Sequence, residues 1–139
     1  MMVDILSKVD VVRERVSRLR EYSGVSFEKF LSDYTLRAAI ERNLEVAIQG
    51  CIDIAKIIIK RERLREPEDN KGTFVVLAEN GLISEESLKF LLPMAGTRNI
   101  LVHGYDKVDE SIIFGIIRRH LEDFDRFLCE IDDRYLKKH

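Results

Sequence analysis

The stretch that decides the fold class most clearly is residues 112–131, IIFGIIRRHLEDFDRFLCEI. Its large apolar side chains recur every three or four residues, so on an α-helix they form one broad apolar face. The members of that face are Ile112, Ile113, Ile116, Ile117, His120, Leu121, Phe124, Leu128 and Ile131. We therefore predict one amphipathic helix here, with His120 packed in a core or an interface rather than binding a ligand.

Apolar residues recur at the same spacing through the rest of the chain. Near the N-terminus they form one apolar stripe of a helix: Ile5, Val9, Val12, Val16 and Leu19. A second long helix is predicted from about Tyr34 to Arg63, and Gly50 in its middle suggests a kink or a close helix crossing. A short helix should cover residues 73–79, and a further one should begin after Ser84 and end before Gly104. Strand-like alternation is not visible, so the sequence predicts an all-α, antiparallel bundle of four to five helices.

Length and charge set limits on function. The 139 residues fit a single domain, 1–139, and 23 basic against 25 acidic residues give a net charge of −2. Proteins that hold nucleic acid by bulk charge are usually strongly basic, so any such contact must come from a local arrangement of Arg and Lys. The apolar runs are too short to span a bilayer and the N-terminus lacks a signal-peptide core, which predicts a cytoplasmic protein without membrane contact.

Cysteine and histidine spacing argues against a metal centre or a redox site. Cys51 and Cys129 lie far apart in apolar stretches, so we expect both to be reduced and buried. His103, His120 and His139 do not have the spacing of metal ligands. The sequence thus predicts neither a metal site nor a cofactor.

One polar segment interrupts the apolar pattern, between Gly96 and Tyr105. On a helix Asn99 and His103 share a face, whereas Arg98 and His103 point about 140° apart and are separated by about 7.5 Å of rise. One interpretation is structural: Asn99 and His103 are buried and bond to a neighbouring helix, because unpaired buried polar groups are costly. The other is that Arg98 and His103 flank a ligand at the end of the helix.

This segment resembles a known signature. The pattern Arg98-Asn99-x-Leu101-Val102-His103-x-Tyr105, followed by Val108-Asp109, is similar to that of the HEPN superfamily, and more narrowly to that of HepT-like toxins. Residues 34–47 and 51–55 resemble the second helix of the family, and residues 74–83 its short helix and turn. The resemblance thus extends from the first helix to the last.

The resemblance implies a small helical domain that forms a homodimer, with the motif of each protomer facing a shared cleft. It implies a metal-independent ribonuclease toxin, with RNA as substrate and a cognate minimal nucleotidyltransferase as antitoxin. Arg98 and His103 would be catalytic, and Tyr105 would be the tyrosine that the antitoxin adenylylates. Asn99 would support catalysis by orienting His103 from one turn back.

The residue types suit this chemistry. RNA cleavage without metal needs a base, an acid and positive charge on the phosphorane, which His and Arg supply. Arg37 and Arg42 are candidates for substrate binding, as is the basic run from Lys60 to Arg65, although that run also fits a solvated helix end. Two alternatives remain open: a non-catalytic HEPN module that binds a nucleotide or a partner protein, and a dimeric helical scaffold.

Overall fold

The structure, a computed structural model, describes residues 2–104 and 108–137, without the side chains of residues 2 and 3. Within these ranges it consists of seven α-helices and a π-helical turn, without strands, which confirms the all-α prediction. The elements are α1 (Met2–Glu21), α2 (Phe27–Ser32), α3 (Tyr34–Arg61), α4 (Asn70–Glu79), α5 (Glu85–His103), α6 (Glu110–Arg119), α7 (Leu121–Ile131) and the π-helical turn Asp132–Leu136.

The long helices α1 and α3 form the tightest seam of the molecule. Three contacts join the two helices: Lys8 with Asp53, Val12 with Gly50, and Arg15 with Asn43. The residue numbers rise along α1 while they fall along α3, so the two helices are antiparallel. The apolar stripe of α1 is fully buried against α3. A Cβ at Gly50 would overlap the Val12 Cγ2 atom, so the glycine permits the close helix crossing that the sequence predicts.

The predicted final helix is divided at His120. This residue ends α6 and precedes α7, with φ −123° and ψ 8°, and its imidazole is exposed beside Asp123, with 2.9 Å between Nδ1 and Oδ2. The prediction of one continuous helix is therefore wrong, and His120 lies outside the core of the single chain, with its ring stacked near that of Phe90 at 6.4 Å between centroids. The break allows α6 to set Phe114 against the aromatic rings of α2, while α7 packs on α1, α4 and α5.

Helix α5 is fixed at its start by α7. The Ser84 side chain caps α5 by accepting the Ser87 N–H at 3.1 Å, and the Ser84 hydroxyl donates to the Glu130 carboxylate at 2.6 Å. Further along, the rings of Phe90 and Phe124 meet edge to face with centroids 4.9 Å apart. The helix continues through Pro93 and ends at His103, where the sequence predicts its end before Gly104.

The two cysteines differ in burial. Cys51 is buried as predicted, but Cys129 is exposed, because it lies on the side of α7 that faces away from the core. Among the residues described, no helix combines the length and the apolar character needed to cross a membrane.

Candidate active site

The candidate catalytic residues lie in the last two turns of α5. Arg98 is half-buried, whereas Asn99 and His103 are exposed. The interpretation that Asn99 and His103 are buried polar residues bonded to a neighbouring helix is therefore wrong for the single chain. The side chains of this segment are instead presented at one end of the bundle.

The guanidinium of Arg98 is weakly bonded. Its Nη1 donates to the Asn99 Oδ1 over a long 3.4 Å, and its Nε is buried and has no hydrogen-bond partner among the described residues. Asn99 therefore contacts Arg98 rather than His103 in this structure. A guanidinium with unused N–H groups is suited to donate two parallel hydrogen bonds to the oxygens of a phosphate.

His103 is the last residue of α5, and Gly104 closes the helix by donating its N–H to the Ile100 carbonyl at 2.8 Å. Tyr105, which the resemblance marks for adenylylation, lies outside the described residues.

The two arginines proposed for substrate binding differ in their contacts. Arg37 is half-buried and donates Nη1 to the Leu31 carbonyl at 2.6 Å, and its Nε lies 3.7 Å from Glu110 Oε1. Arg42 is exposed and pairs only with Glu45 one turn on, at 2.9 Å, among the described residues. Arg42 is thus free to reach a ligand, whereas Arg37 is largely committed to joining α2, α3 and α6.

The basic run after α3 is a solvated helix end. Arg65 is exposed and forms an ion pair with Glu79 at 2.5 Å, and the guanidinium of Arg61 lies over the Tyr135 ring. These contacts favour the structural interpretation of this run over a role in binding substrate.

One pair of carboxyl groups was not predicted from the sequence. Glu41 of α3 and Glu110 of α6 share a hydrogen bond, and the Oε2 atom of each is buried without an N–H donor in the described part of the chain. Burial raises the pKa of Glu41 to about 7, helped by the hydrogen bond and negative charge of Glu110 and opposed by Arg37. The spacing of Arg37 and Glu41 on one helix face was the only local signal.

In residues 2–104 and 108–137 no group of three or more His, Cys, Asp or Glu side chains is arranged to hold a metal ion.

The arrangement of these helices and of the residues at the end of α5 corresponds to a known family. Residues 12–131 match the family described as Ribonuclease HepT-like. The chain belongs to this HepT-like ribonuclease family, a class of helical nucleases, which confirms both the resemblance and the prediction of a ribonuclease.

Particular relatives give the same assignment. The chain is 32% identical to the mRNA nuclease HepT of Shewanella oneidensis, over 89% of this chain and 92% of the relative. It is 25% identical to the tRNA nuclease HepT of Aphanizomenon flos-aquae, over 94% and 88% of the two chains. A solved structure of the tri-AMPylated Shewanella oneidensis HEPN toxin, in complex with an MNT antitoxin, superposes with a TM-score of 0.86 at 31% identity, covering 94% of this chain and 97% of that one.

Proposed function

We propose that this protein is the endoribonuclease toxin of a toxin–antitoxin pair and that it cuts RNA without a metal ion. The observation that carries the proposal is the end of α5, where His103 is exposed and the Nε of the half-buried Arg98 has no hydrogen-bond partner among the described residues, in a chain of a ribonuclease family. We propose further that it acts on RNA in the cytoplasm and that the whole chain, 1–139, acts as one domain.

The proposed reaction uses the ribose itself as nucleophile. A neutral His103 removes the proton from the 2′-hydroxyl, the 2′-oxygen attacks the adjacent phosphorus, and the 5′-oxygen leaves with a proton from an acid. The products are a 2′,3′-cyclic phosphate and a 5′-hydroxyl. Arg98 binds the non-bridging oxygens and stabilises the charge that develops on the phosphorane.

One chain supplies one histidine to this end of α5, whereas the reaction uses a base and an acid. We therefore propose a homodimer in which His103 and Arg98 of both protomers face one cleft. Two exposed side chains support an interface here: Ile100, 41% exposed on α5, and Ile112, 54% exposed on α6. Covering such side chains with a second chain would remove apolar surface from water, so these two residues are candidates for the interface.

The proposed antitoxin is a minimal nucleotidyltransferase that adenylylates Tyr105. The support is the tri-AMPylated Shewanella toxin in complex with an MNT antitoxin and the place of Tyr105 two residues after His103. In that reaction the phenolic oxygen would bond to the α-phosphorus of ATP, and pyrophosphate and a proton would leave. The added phosphate would compete with RNA for Arg98.

The proposal is tested with purified protein and total RNA in the presence of a chelator. We expect cleavage that leaves cyclic phosphates, and we expect a dimer by light scattering. Loss of cleavage on chelation would contradict metal independence. Absence of cleavage under all conditions would favour the non-catalytic HEPN module that binds a nucleotide or a partner protein.

The antitoxin step is tested by intact mass after co-expression with the neighbouring nucleotidyltransferase. Parent protein should gain whole AMP units, and Tyr105→Phe should gain none while it still cuts RNA. An equal mass gain in both forms would remove Tyr105 from the mechanism.

A further inference from the structure

A lysine of α4 lies against the part of α5 that carries the proposed active site. The side chain of Lys71 crosses α5 at Gly96, where a Cβ added to the glycine would lie 3.6 Å from Lys71 Cε and 3.8 Å from Lys71 Nζ. Because Gly96 has no side chain, the ammonium group lies close to the backbone of α5. Gly96 precedes Arg98 by two residues.

The first turn of α4 is held in place, which fixes the backbone of Lys71. The Asp69 side chain accepts the Gly72 N–H at 2.7 Å, and the hydroxyl of the buried Thr73 donates to the Asp69 carbonyl at 3.1 Å. The Lys71 side chain itself is exposed and makes no hydrogen bond or ion pair with any described residue. Its ammonium group is therefore free to meet a ligand.

The charge of Lys71 does not serve the stability of the fold in any described contact. A cation in the first turn of a helix lies at the positive end of the macrodipole, which is the unfavourable end for it. The arginines that precede α4 differ, since Arg61 lies over the Tyr135 ring and Arg65 pairs with Glu79. Lys71 thus resembles Arg98, whose guanidinium also has unused N–H groups.

Lys71 lies on the same side of α5 as the other residues of the proposed site. Asn99 is about 60° around the helix from Gly96 and about 4.5 Å further along it, and His103 is about 20° around and about 10.5 Å along. The Arg98 guanidinium also reaches this side, because its Nη1 donates to the Asn99 Oδ1.

Three groups that can carry positive charge therefore come together in a chain whose net charge is −2: Lys71, Arg98 and His103. None of them has an acidic partner among the described residues. An ammonium group binds a phosphate as a point charge, whereas a guanidinium binds it with two parallel hydrogen bonds. The distance along α5 from Gly96 to His103 is too long for one phosphate group and is comparable to the span of one nucleotide.

We propose that the Lys71 ammonium binds the RNA phosphate next to the phosphate under attack and thereby sets the register of the strand on α5. The inference deepens the proposed RNA cleavage and rests on it. Lys71 is a substrate-binding residue that α4 contributes to the site, and it takes no part in proton transfer.

The first test measures binding of an uncleavable strand, 2′-O-methylated tetrauridylate, to the full-length protein by fluorescence anisotropy. Lys71→Gln should weaken binding by about eight-fold at 0.05 M salt and by less than about two-fold at 0.5 M. The reason is that one phosphate contact on a single strand contributes about 0.7 to the slope of log affinity against log salt concentration. Lys71→Arg keeps the charge and should bind nearly as the parent does. Lys56→Gln, at an exposed lysine of α3 without a described partner, is the charge-matched control and should bind like the parent.

The second test identifies the phosphate that Lys71 contacts. The probe has three linkages, and each is replaced in turn by an uncharged methylphosphonate. At one linkage the replacement should weaken binding to the parent by the same factor as Lys71→Gln does. The same replacement should cause no further loss in Lys71→Gln, because the contact is already absent.

The outcomes separate this inference from the proposed function. Unchanged affinity in Lys71→Gln, a loss that persists undiminished at 0.5 M salt, or equal losses from each methylphosphonate in parent and variant would overturn the phosphate contact. RNA cleavage by the parent would in those cases still uphold the ribonuclease. Salt-dependent binding that requires Lys71, in a protein that cuts no RNA, would uphold the contact and overturn the cleavage.

Discussion

The seam between α1 and α3 and the end of α5 differ in how their side chains are used. In the seam, the apolar stripe of α1 from Ile5 to Leu19 is buried. At the edges of the seam, Lys8 and Arg15 of α1 bond to side chains of α3. At the end of α5, Arg98, Asn99 and His103 make one long hydrogen bond among the described contacts. The side chains of the seam are saturated with contacts, whereas those of the proposed site are not.

This difference predicts that the two regions respond to substitution in opposite ways. Changes at the end of α5 should alter activity and spare stability, and changes in the seam should do the reverse.

The largest effect is expected from Arg98→Ala and His103→Ala. Each should lower RNA cleavage by about 10³-fold, because loss of a proton-transfer group or of a phosphorane clamp costs roughly 10²–10⁴. The free energy of unfolding should change by less than about 0.5 kcal/mol in His103→Ala, as for most surface changes, and by somewhat more in Arg98→Ala, because the Arg98 side chain is half-buried and packs along its stem. Arg18→Ala, an exposed arginine paired with Glu14, is the control and should cut RNA normally. Full activity in His103→Ala would contradict the proposed role of this histidine in cleavage.

The seam is tested by Gly50→Ala. A new Cβ would overlap Val12, and the overpacking costs about 1–3 kcal/mol against a gain of about 1 kcal/mol in helix propensity, for a net loss of up to about 2 kcal/mol. Denaturant unfolding measures it. Val12→Ala in the same chain should restore part of the loss, and Gly24→Ala, with open space around its Cβ, should be nearly neutral. A stable Gly50→Ala would mean that the seam is loose.

The carboxyl pair of Glu41 and Glu110 belongs neither to the seam nor to the end of α5, and it makes the stability of the protein depend on pH. Because the pKa of Glu41 rises from 4.5 in the unfolded chain to about 7 in the folded protein, the folded state binds the proton more tightly between these values. Stability should therefore fall as pH rises from about 4.5 to 7, by about 1 kcal/mol once solvent screening of this half-exposed group is allowed for. Melting temperatures at pH 5 and pH 8 measure this change. Glu41→Gln should show a flatter profile, and an identical profile would place the titration elsewhere.

The smallest effect is expected from Asn99→Ala. Its side chain makes a single 3.4 Å hydrogen bond to Arg98, so its removal should lower cleavage by less than about ten-fold. A loss equal to that of His103→Ala would assign Asn99 a direct part in the chemistry, and initial rates under identical conditions decide the matter.

Local sequence predicted the helices and the α5 motif because both depend on near neighbours. The apolar spacing of α1 and the Gly104 stop of α5 act over a few residues. The break at His120 was missed because the apolar spacing continues across it. What divides α6 from α7 is that the two helices pack on different partners.

The candidate site was predicted in part for the same reason. Arg98, Asn99 and His103 occupy one helix end, so their spacing alone places them together. Glu41 and Glu110 are 69 residues apart, and only the packing of α6 on α3 joins them. Single-chain sequence patterns do not encode such a long-range pairing.

The antiparallel seam of α1 and α3 also has a kinetic consequence. Only residues 22–33 separate these two helices, so the loop that closes this hairpin is short and closing it costs little chain entropy. We expect this hairpin to nucleate folding and to form while the rest of the chain is still being synthesised. The end of α5 would then be assembled late, on a scaffold already in place.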